Sequence, residues 1–400
     1  MKKGFHIATP EQIKTGAVTD VYFQRTASIL DAKGVDAYVR AEFMVKALPE
    51  DWEWAIFAGL AEVTHLLEGI DVNVRAMEEG AVFRPYEPVI EIQGSYREFG
   101  VFETAVLGLI CQASGIATRA ARCRVTAGPG RKLISFGARR MHPAIAPMIE
   151  RAAYIGGCDG VAVVASAELL GTEPVGTIPH ALVLVIGDTV QAALAFDEVI
   201  DKKVPRVALI DTFDDEKFAA VEVAEALGAR LAAVRLDTPG SRRGDFLEIL
   251  SEVRWELDLR GHADIDLFVS GGIDEDTIRE LNPVVDGYGV GTHISAAPVV
   301  DFSMDIVEID GRPIAKRGKW SGAKQVLRCD GCHQDDIVAL HPAEDWPESC
   351  PDCGGDLEPL LALQMKDGEL TGPQMDPGDV RARALERLEY FETKPEDQAP

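Results

Sequence analysis

The sequence predicts an α/β protein: an irregular, TIM-like βα barrel, with an N-terminal α+β domain before it and a small cysteine-rich module after it. Three observations predict this. From about residue 116, short apolar runs alternate with helical stretches, and the later runs start roughly 22 to 34 residues apart, the repeat of βα units. Four consecutive apolar runs end in carboxylate, arginine or glycine-rich turns. Two Cys-x2-Cys pairs follow the last run.

A chain of 400 residues is too long for one ordinary core, so several domains are expected. We place them at 1–115, 116–300 and 301–400, with the cysteine module at about 318–360. In the first segment, 81–92 alternates in polarity and contains Pro85 and Pro88, which suits an edge strand or a loop-rich sheet. Residues 54–67 have apolar side chains at helical spacing.

In the second segment the candidate strands are 160–165, 206–210, 231–236, 265–269 and 287–290. The stretch 216–227 is Ala-rich, opens on acids and is closed by Gly228, so it reads as a helix. The stretch 246–257 reads likewise, and an amphipathic helix is expected over 376–393, followed by a frayed tail.

Composition narrows the function. The net charge is −26 and the sequence pI about 4.7, which opposes nucleic-acid binding. Such a field repels anionic substrates, so any phosphate site must be locally basic. The N-terminus has two lysines but no apolar run behind them, so no signal peptide is expected. No apolar stretch of about 18 residues free of charge is evident, so no membrane span is expected. Seven cysteines, four of them in tight pairs, favour a reducing compartment, hence the cytoplasm, and a metal site over disulfides.

Cys329-x2-Cys332 and Cys350-x2-Cys353 are 17 residues apart, the pattern of a four-thiolate zinc site. All four positions are filled by protein, so the zinc is expected to be structural. His333 and His341 are bystanders on this reading, and Cys111, Cys123 and Cys158 are small buried residues.

The strand ends gather chemistry. Asp211 follows one, Arg235 and Asp237 close the next, Ser270-Gly271-Gly272 follow the third and Gly291-Thr292 the fourth. In a βα barrel such ends converge on one mouth. Asp, Ser and Gly also serve simply as caps and turns, and a single such end would mean little.

Six motifs in order are more specific: Thr19-Asp20-Val21-Tyr22, Phe136-Gly137-Ala138-Arg139-Arg140, Gly176-Thr177-Ile178-Pro179-His180, Leu209-Ile210-Asp211-Thr212-Phe213, Val234-Arg235-Leu236-Asp237 and Ser270-Gly271-Gly272-Ile273-Asp274. Together they resemble the nicotinate and nicotinamide phosphoribosyltransferases, of the type II phosphoribosyltransferase family. The cysteine pairs behind them are similar to those of archaeal-type nicotinate enzymes. The resemblance covers roughly residues 5 to 360.

The resemblance implies formation of nicotinate mononucleotide and pyrophosphate from nicotinate and phosphoribosyl pyrophosphate, in NAD biosynthesis or salvage. It implies that Phe136 stacks on one face of the pyridine ring and Tyr22, from a partner subunit, on the other, in a homo-oligomer, a dimer or a multiple of dimers, with the active site shared between subunits. Arg139 would meet the ribosyl phosphate and Arg140 the nicotinate carboxylate, since a guanidinium fork donates bidentately. His180 would be transiently phosphorylated by ATP, imidazole being a competent acceptor near neutral pH. Thr177 lies in the same element. Asp211 and Asp237 would stabilise developing positive charge on the sugar, and Arg235 with Mg2+ would neutralise the pyrophosphate. Ser270, Gly271, Gly272, Gly291 and Thr292 would cradle the 5-phosphate.

Ser135 stands before Phe136 where many relatives carry an acid, which bears on acid-versus-amide selectivity. The alternatives are a quinolinate or nicotinamide phosphoribosyltransferase, or a zinc-ribbon binding protein on a degenerate barrel. The quinolinate enzymes lack the Gly-Thr-x-x-His element present here.

Overall fold

The computed structural model describes residues 4–392. The chain forms two compact units: Met1–Thr118 with Pro298–Arg387, and Arg119–Ala297 with the residues from Leu388 on. The segment expected as a separate stretch over 301–400 therefore belongs largely to the first unit, because its strands complete that unit's sheet. The expected frayed tail lies outside the described residues.

After the helices Pro10–Lys14 and Val21–Lys33, the first unit holds β1 (Tyr38–Met44), the short pair β2 (Ala55–Ile56) and β4 (Val82–Phe83), β3 (Val72–Ala76) and β5 (Ile90–Ser95). In β3, Val72, Val74 and Ala76 point inward and Asn73 and Arg75 do not, the period-two alternation of a half-buried strand. The stretch 81–92 divides into β4, half of a two-stranded sheet with β2, a loop, and the start of β5, which is central. Pro85 and Pro88 fall between β4 and β5, and β5 pairs antiparallel with β1 on one side and β3 on the other. Keeping the prolines out of the ladder is what allows a central strand here. The helical spacing over 54–67 resolves into β2 and the helix Leu60–Leu67.

The helix Glu103–Ala127 is the one described helix long and apolar enough to span a membrane, with the turn before it included. Its charge-free run, 104–118, is shorter than 18 residues, as the sequence leads one to expect. Its apolar side belongs to the protein interior: Ile110, Ile116 and Ala117 are fully buried. Ser114 and Thr118 on the same helix accept hydrogen bonds from the Ala58 and Ile56 amides, at 3.1 and 2.9 Å.

The second unit holds a six-stranded parallel sheet: β6 (Lys132–Ser135), β7 (Gly160–Val161), β8 (Arg206–Leu209), β9 (Leu231–Leu236), β10 (Asp266–Ser270) and β11 (Gly287–Val290). The order is β7-β6-β11-β10-β9-β8, so β7 and β8 are edges and the sheet is a half barrel rather than a closed ring. The pairings Ser270↔Gly289 and Val290↔Ser135 set the C-terminal ends of β10, β11 and β6 level with one another.

Helices follow the strands at Thr189–Val199, Glu216–Leu227, Phe246–Leu259 and Glu275–Leu281. Their N-caps are Asp188, Asp215, Asp245 and Asp274, each side chain accepting a backbone N–H. Several acids near the strand ends are thus plain caps, whereas Asp211 and Asp237 are not.

The chain then returns to the first unit. Strand β12 (Ser303–Ile309) pairs antiparallel with β1 and with β13 (Arg312–Pro313). Strand β17 (Ala362–Lys366) pairs with β3 and with β18 (Glu369–Leu370), giving the order β13-β12-β1-β5-β3-β17-β18. Between them β14 (Lys324–Cys329), β15 (Asp335–Ala339) and β16 (Leu357–Pro359) form a small antiparallel sheet that presents the cysteines. The last helix, Pro377–Glu392, begins where the sequence expects it.

Candidate active site

Every strand of the half barrel except the β8 edge contributes residues from its C-terminal end, or from the loop beyond it, to one cavity of about 370 Å³. Phe136, Arg139, Arg140, Thr177, Arg235, Asp237, Ser270, Gly271, Gly272, Gly291 and Thr292 all line it, as the barrel rule requires.

Phe136 leaves β6 on a bond from its amide to the Val290 carbonyl, 2.8 Å long. Its ring fills the space beside Gly289, where any Cβ would lie 2.4 Å from the ring carbons. The Arg235 guanidinium carbon stands 5.3 Å from the ring centroid, a cation–π contact. Arg139 and Arg140 follow in a single 3-10 turn and are exposed at the rim. With Arg235 they make this pocket basic within an acidic chain.

Arg235 is the hub. Its Nη1 donates to Thr177 Oγ1 at 2.6 Å, its Nε to Ser270 Oγ at 2.9 Å, and its Nη2 lies 3.4 Å from Asp237 Oδ2. Ser270 Oγ in turn donates to Asp237 Oδ1 at 2.7 Å. Burial works against the Arg235 charge, and Asp237 and Asp211 offset it.

His180 opens the helix His180–Ile186, and its ring is 40% exposed. Nδ1 is hydrogen-bonded to Thr212 Oγ1 at 3.1 Å, while Nε2 lies 3.7 Å from Asp211 Oδ2 and 3.6 Å from Asp237 Oδ2. Both Asp211 oxygens are buried without a hydrogen-bond partner among the described residues. Burial pushes that carboxyl above its ordinary range, and the His180 charge pulls the other way. An orphaned buried carboxylate beside an imidazole and a second carboxylate is set to meet a cation or a donor group of a ligand.

Two contributors were not singled out by the sequence. Arg243 donates through Nε to the Thr238 carbonyl at 2.6 Å and through Nη2 to the Ser270 carbonyl at 3.0 Å, and also to that of Gly271. It lies in a Pro- and Gly-bearing loop that reads only as a turn. Glu150 lines the cavity and accepts from the Ala162 and Val163 amides at 3.1 and 3.0 Å, pinning the loop after β7. Nothing distinguishes it in the sequence from a surface helix acid.

Tyr22 lies in the first unit, on the helix Val21–Lys33, with 55% of its surface exposed. The structure does not bring it together with Phe136 within one unit. The four thiols are also in the first unit, and their sulfurs all lie within 4.8 Å of one another. Cys329 and Cys353 sulfurs are 3.4 Å apart, Cys332 and Cys350 sulfurs 3.6 Å, close to the edges of a zinc–thiolate tetrahedron. Amides of Gly331 and Cys332 point at Cys329 Sγ, at 3.3 and 3.5 Å. The donor set fits zinc, with neither His333 nor His341 in it.

An aromatic floor, an arginine–carboxylate hub and glycine loops at the ends of parallel strands define a phosphate-handling βα enzyme. Comparison with known proteins narrows the class. Residues 20–114 match the family model described as the quinolinate phosphoribosyl transferase N-terminal domain, and residues 116–305 match that of its C-terminal domain. The nicotinate phosphoribosyltransferase pncB1 of Mycobacterium tuberculosis is 35% identical over 288 residues, which are 68% of this chain and 62% of that protein. The chain thus spans less than two thirds of the length of that relative. A crystal structure of nicotinate-nucleotide pyrophosphorylase from Pyrococcus furiosus is 51% identical, with a TM-score of 0.94, over 98% of this chain and all of that one. Human nicotinic acid phosphoribosyltransferase shares the fold at 21% identity, with a TM-score of 0.73 over 95% of each chain. The chain belongs to the phosphoribosyltransferase family that these quinolinate-type domains define, whose curated relatives include nicotinate phosphoribosyltransferases.

Proposed function

We propose that the protein is a nicotinate phosphoribosyltransferase. It transfers the 5-phosphoribosyl group from phosphoribosyl pyrophosphate to the nitrogen of nicotinate, releasing pyrophosphate, and so serves NAD salvage in the cytoplasm. The observation that carries this is the Arg235 hub: one guanidinium bridges Thr177, Ser270 and Asp237 above the Phe136 ring.

Nicotinate lies on the Phe136 face, and Arg140 meets its carboxylate. Ser270, Gly271, Gly272, Gly291 and Thr292 receive the 5-phosphate, with Arg139 at its edge. As the C1–oxygen bond to pyrophosphate breaks, Asp237 and Asp211 stabilise the positive charge growing on the sugar, and Arg235 the negative charge on the leaving group. The orphaned Asp211 oxygens, with Asp237, are hard donors that fit Mg2+, which would neutralise pyrophosphate charge when bound.

His180 accepts the terminal phosphoryl group of ATP and loses it to water during the cycle, which drives synthesis forward. Its ring is held by Thr212, is 40% exposed, and lies 3.6 Å from Asp237, which lines the cavity. The four thiolates hold a structural zinc in the archaeal-type arrangement. Tyr22 covers the second face of the pyridine from a partner subunit, in a homodimer or a multiple of it.

A quinolinate specificity is the second reading, favoured by the description of both matching family models. Product formation is measured from nicotinate, nicotinamide and quinolinate, each with phosphoribosyl pyrophosphate and Mg2+, with and without ATP, in wild type and His180→Ala. The proposal expects nicotinate mononucleotide from nicotinate, stimulated by ATP in wild type only. Turnover of quinolinate alone moves the substrate. Turnover of none sinks the assignment.

A further inference from the structure

The two glycine-bearing loops at the cavity leave neighbouring strands, β10 and β11, which are in register at Ser270↔Gly289. Past that point the sheet no longer holds them. The first loop runs through Gly271 and Gly272, at φ +82° and +67°, into the helix Glu275–Leu281. The second passes Gly291 into the short helix Thr292–Ser295. Glycines leave such loops few barriers of their own to drifting apart.

Among the described residues, a side-chain contact joins them beyond the sheet. Glu275, the first residue of one helix, is hydrogen-bonded through Oε2 to His293 Nε2, in the first turn of the other. Glu275 Oε1 accepts from Arg119 Nη1 at 3.0 Å and lies 3.6 Å from Arg122 Nε. Both arginines stand on the helix Glu103–Ala127. Glu275 and His293 are only 14% and 27% exposed, and neither lines the cavity. Burial alone would raise the Glu275 carboxyl, but the hydrogen bond and charge of His293, with Arg119, bring it down to about 2. Cys123 Sγ is in the same group of atoms. Two guanidinium groups already on the carboxylate make this an ion-paired brace, not a cation site.

We propose that Glu275 and His293 are positioning residues that hold the 270–272 and 291–292 loops at a fixed separation, and so set affinity for the phosphate of the phosphoribosyl donor without touching it. The inference rests on the reading of these loops as the phosphate cradle. A cradle of backbone N–H groups binds well only if its two halves are preorganised, since ordering them on binding subtracts from affinity.

Ribose 5-phosphate binding is measured by calorimetry, alongside steady-state kinetics, in wild type, Glu275→Gln, Glu275→Ala and His293→Gln. Loss of one charge-assisted hydrogen bond should weaken ribose 5-phosphate, and raise KM for phosphoribosyl pyrophosphate, by about tenfold. KM for nicotinate and kcat at saturation should change by less than about threefold, because reacting atoms are untouched. The double variant Glu275→Gln with His293→Gln should be no worse than the weaker single one, as partners in one contact are not additive. Glu275→Gln keeps the shape of the side chain and stands in if the alanine variant does not fold. Unchanged ribose 5-phosphate affinity in folded variants overturns the brace, as does a fall in kcat with both KM values unchanged. Wild type that binds ribose 5-phosphate but does not turn over nicotinate refutes the substrate assignment only, and the binding series then decides the brace by the same criteria. No binding by wild type overturns both.

Discussion

Gly271 and Asp237 meet so closely that no side chain fits between them: a Cβ at Gly271 would stand 2.8 Å from Asp237 Oδ1. Gly271 also has φ +82°, which an L side chain adopts only under strain. Gly271→Ala should therefore cost about 1–3 kcal/mol of local strain. It should push Asp237 off Ser270 and Arg235, lowering kcat/KM by about a hundredfold. Kinetics and a thermal melt check this, and a fully active Gly271→Ala enzyme refutes the placement of Asp237.

Arg235 meets three acceptors and a ring with one rigid fork. A lysine keeps the charge but can reproduce at most one of these directions. Arg235→Lys should lose about 2–3 kcal/mol of transition-state binding, read as roughly a hundredfold in kcat/KM. Wild-type rates from the lysine variant would leave charge alone as the requirement.

The four sulfurs predict about one zinc per chain by elemental analysis of the purified protein. A strong chelator or Cys332→Ser should remove it and lower Tm by about 5 °C or more, because metal binding is coupled to the fold of β14–β16. The folded fraction should keep its kcat, as no ligand position is open for chemistry. A metal-free protein with an unaltered melt would contradict the site.

Glu87 is buried, accepts from the Arg84 amide at 2.8 Å and sits beside Asp335. Burial, with the Asp335 charge, pushes its carboxyl up to about 8. Its ordinary value is about 4.3, so folding takes up a proton between the two. The stability tied to the neutral acid is fully present below about 4.3 and is lost as pH rises through 8. Glu87→Gln should flatten the fall in Tm between about pH 6 and 9 and raise Tm at about pH 9. An unchanged slope would show that another group titrates there.

The sequence made local features legible and distant ones not. Strands β9 and β11 and the helix Glu216–Leu227 fall where the apolar runs and caps place them. Strand β6 escapes such a reading: it has four residues, starts on Lys132 and closely follows a Gly-Pro-Gly turn. The long helix is rich in small residues, which blunts its periodicity. Phe136, Arg235, Asp237 and Ser270 were legible because each sits at a strand end or in a motif, whereas Glu150, on a helix, was not. Arg243 was not, because its role is to hold carbonyls of a loop from another strand, a contact that leaves no local pattern. Closure of the first unit's sheet by β12 and β17 was equally hidden, since pairing between segments so distant in the chain has no local signal.

That pairing has a consequence for synthesis on the ribosome. Strand β1 waits for β12, and β3 for β17, whereas every strand of the half barrel lies between Lys132 and Val290. At about 5–20 residues per second, the early sheet keeps two unpaired edges for on the order of ten seconds or more after β3 emerges. The half barrel, though later in the chain, can finish folding first. The nascent chain is most exposed to intermolecular strand pairing in that interval, along β1 and β3.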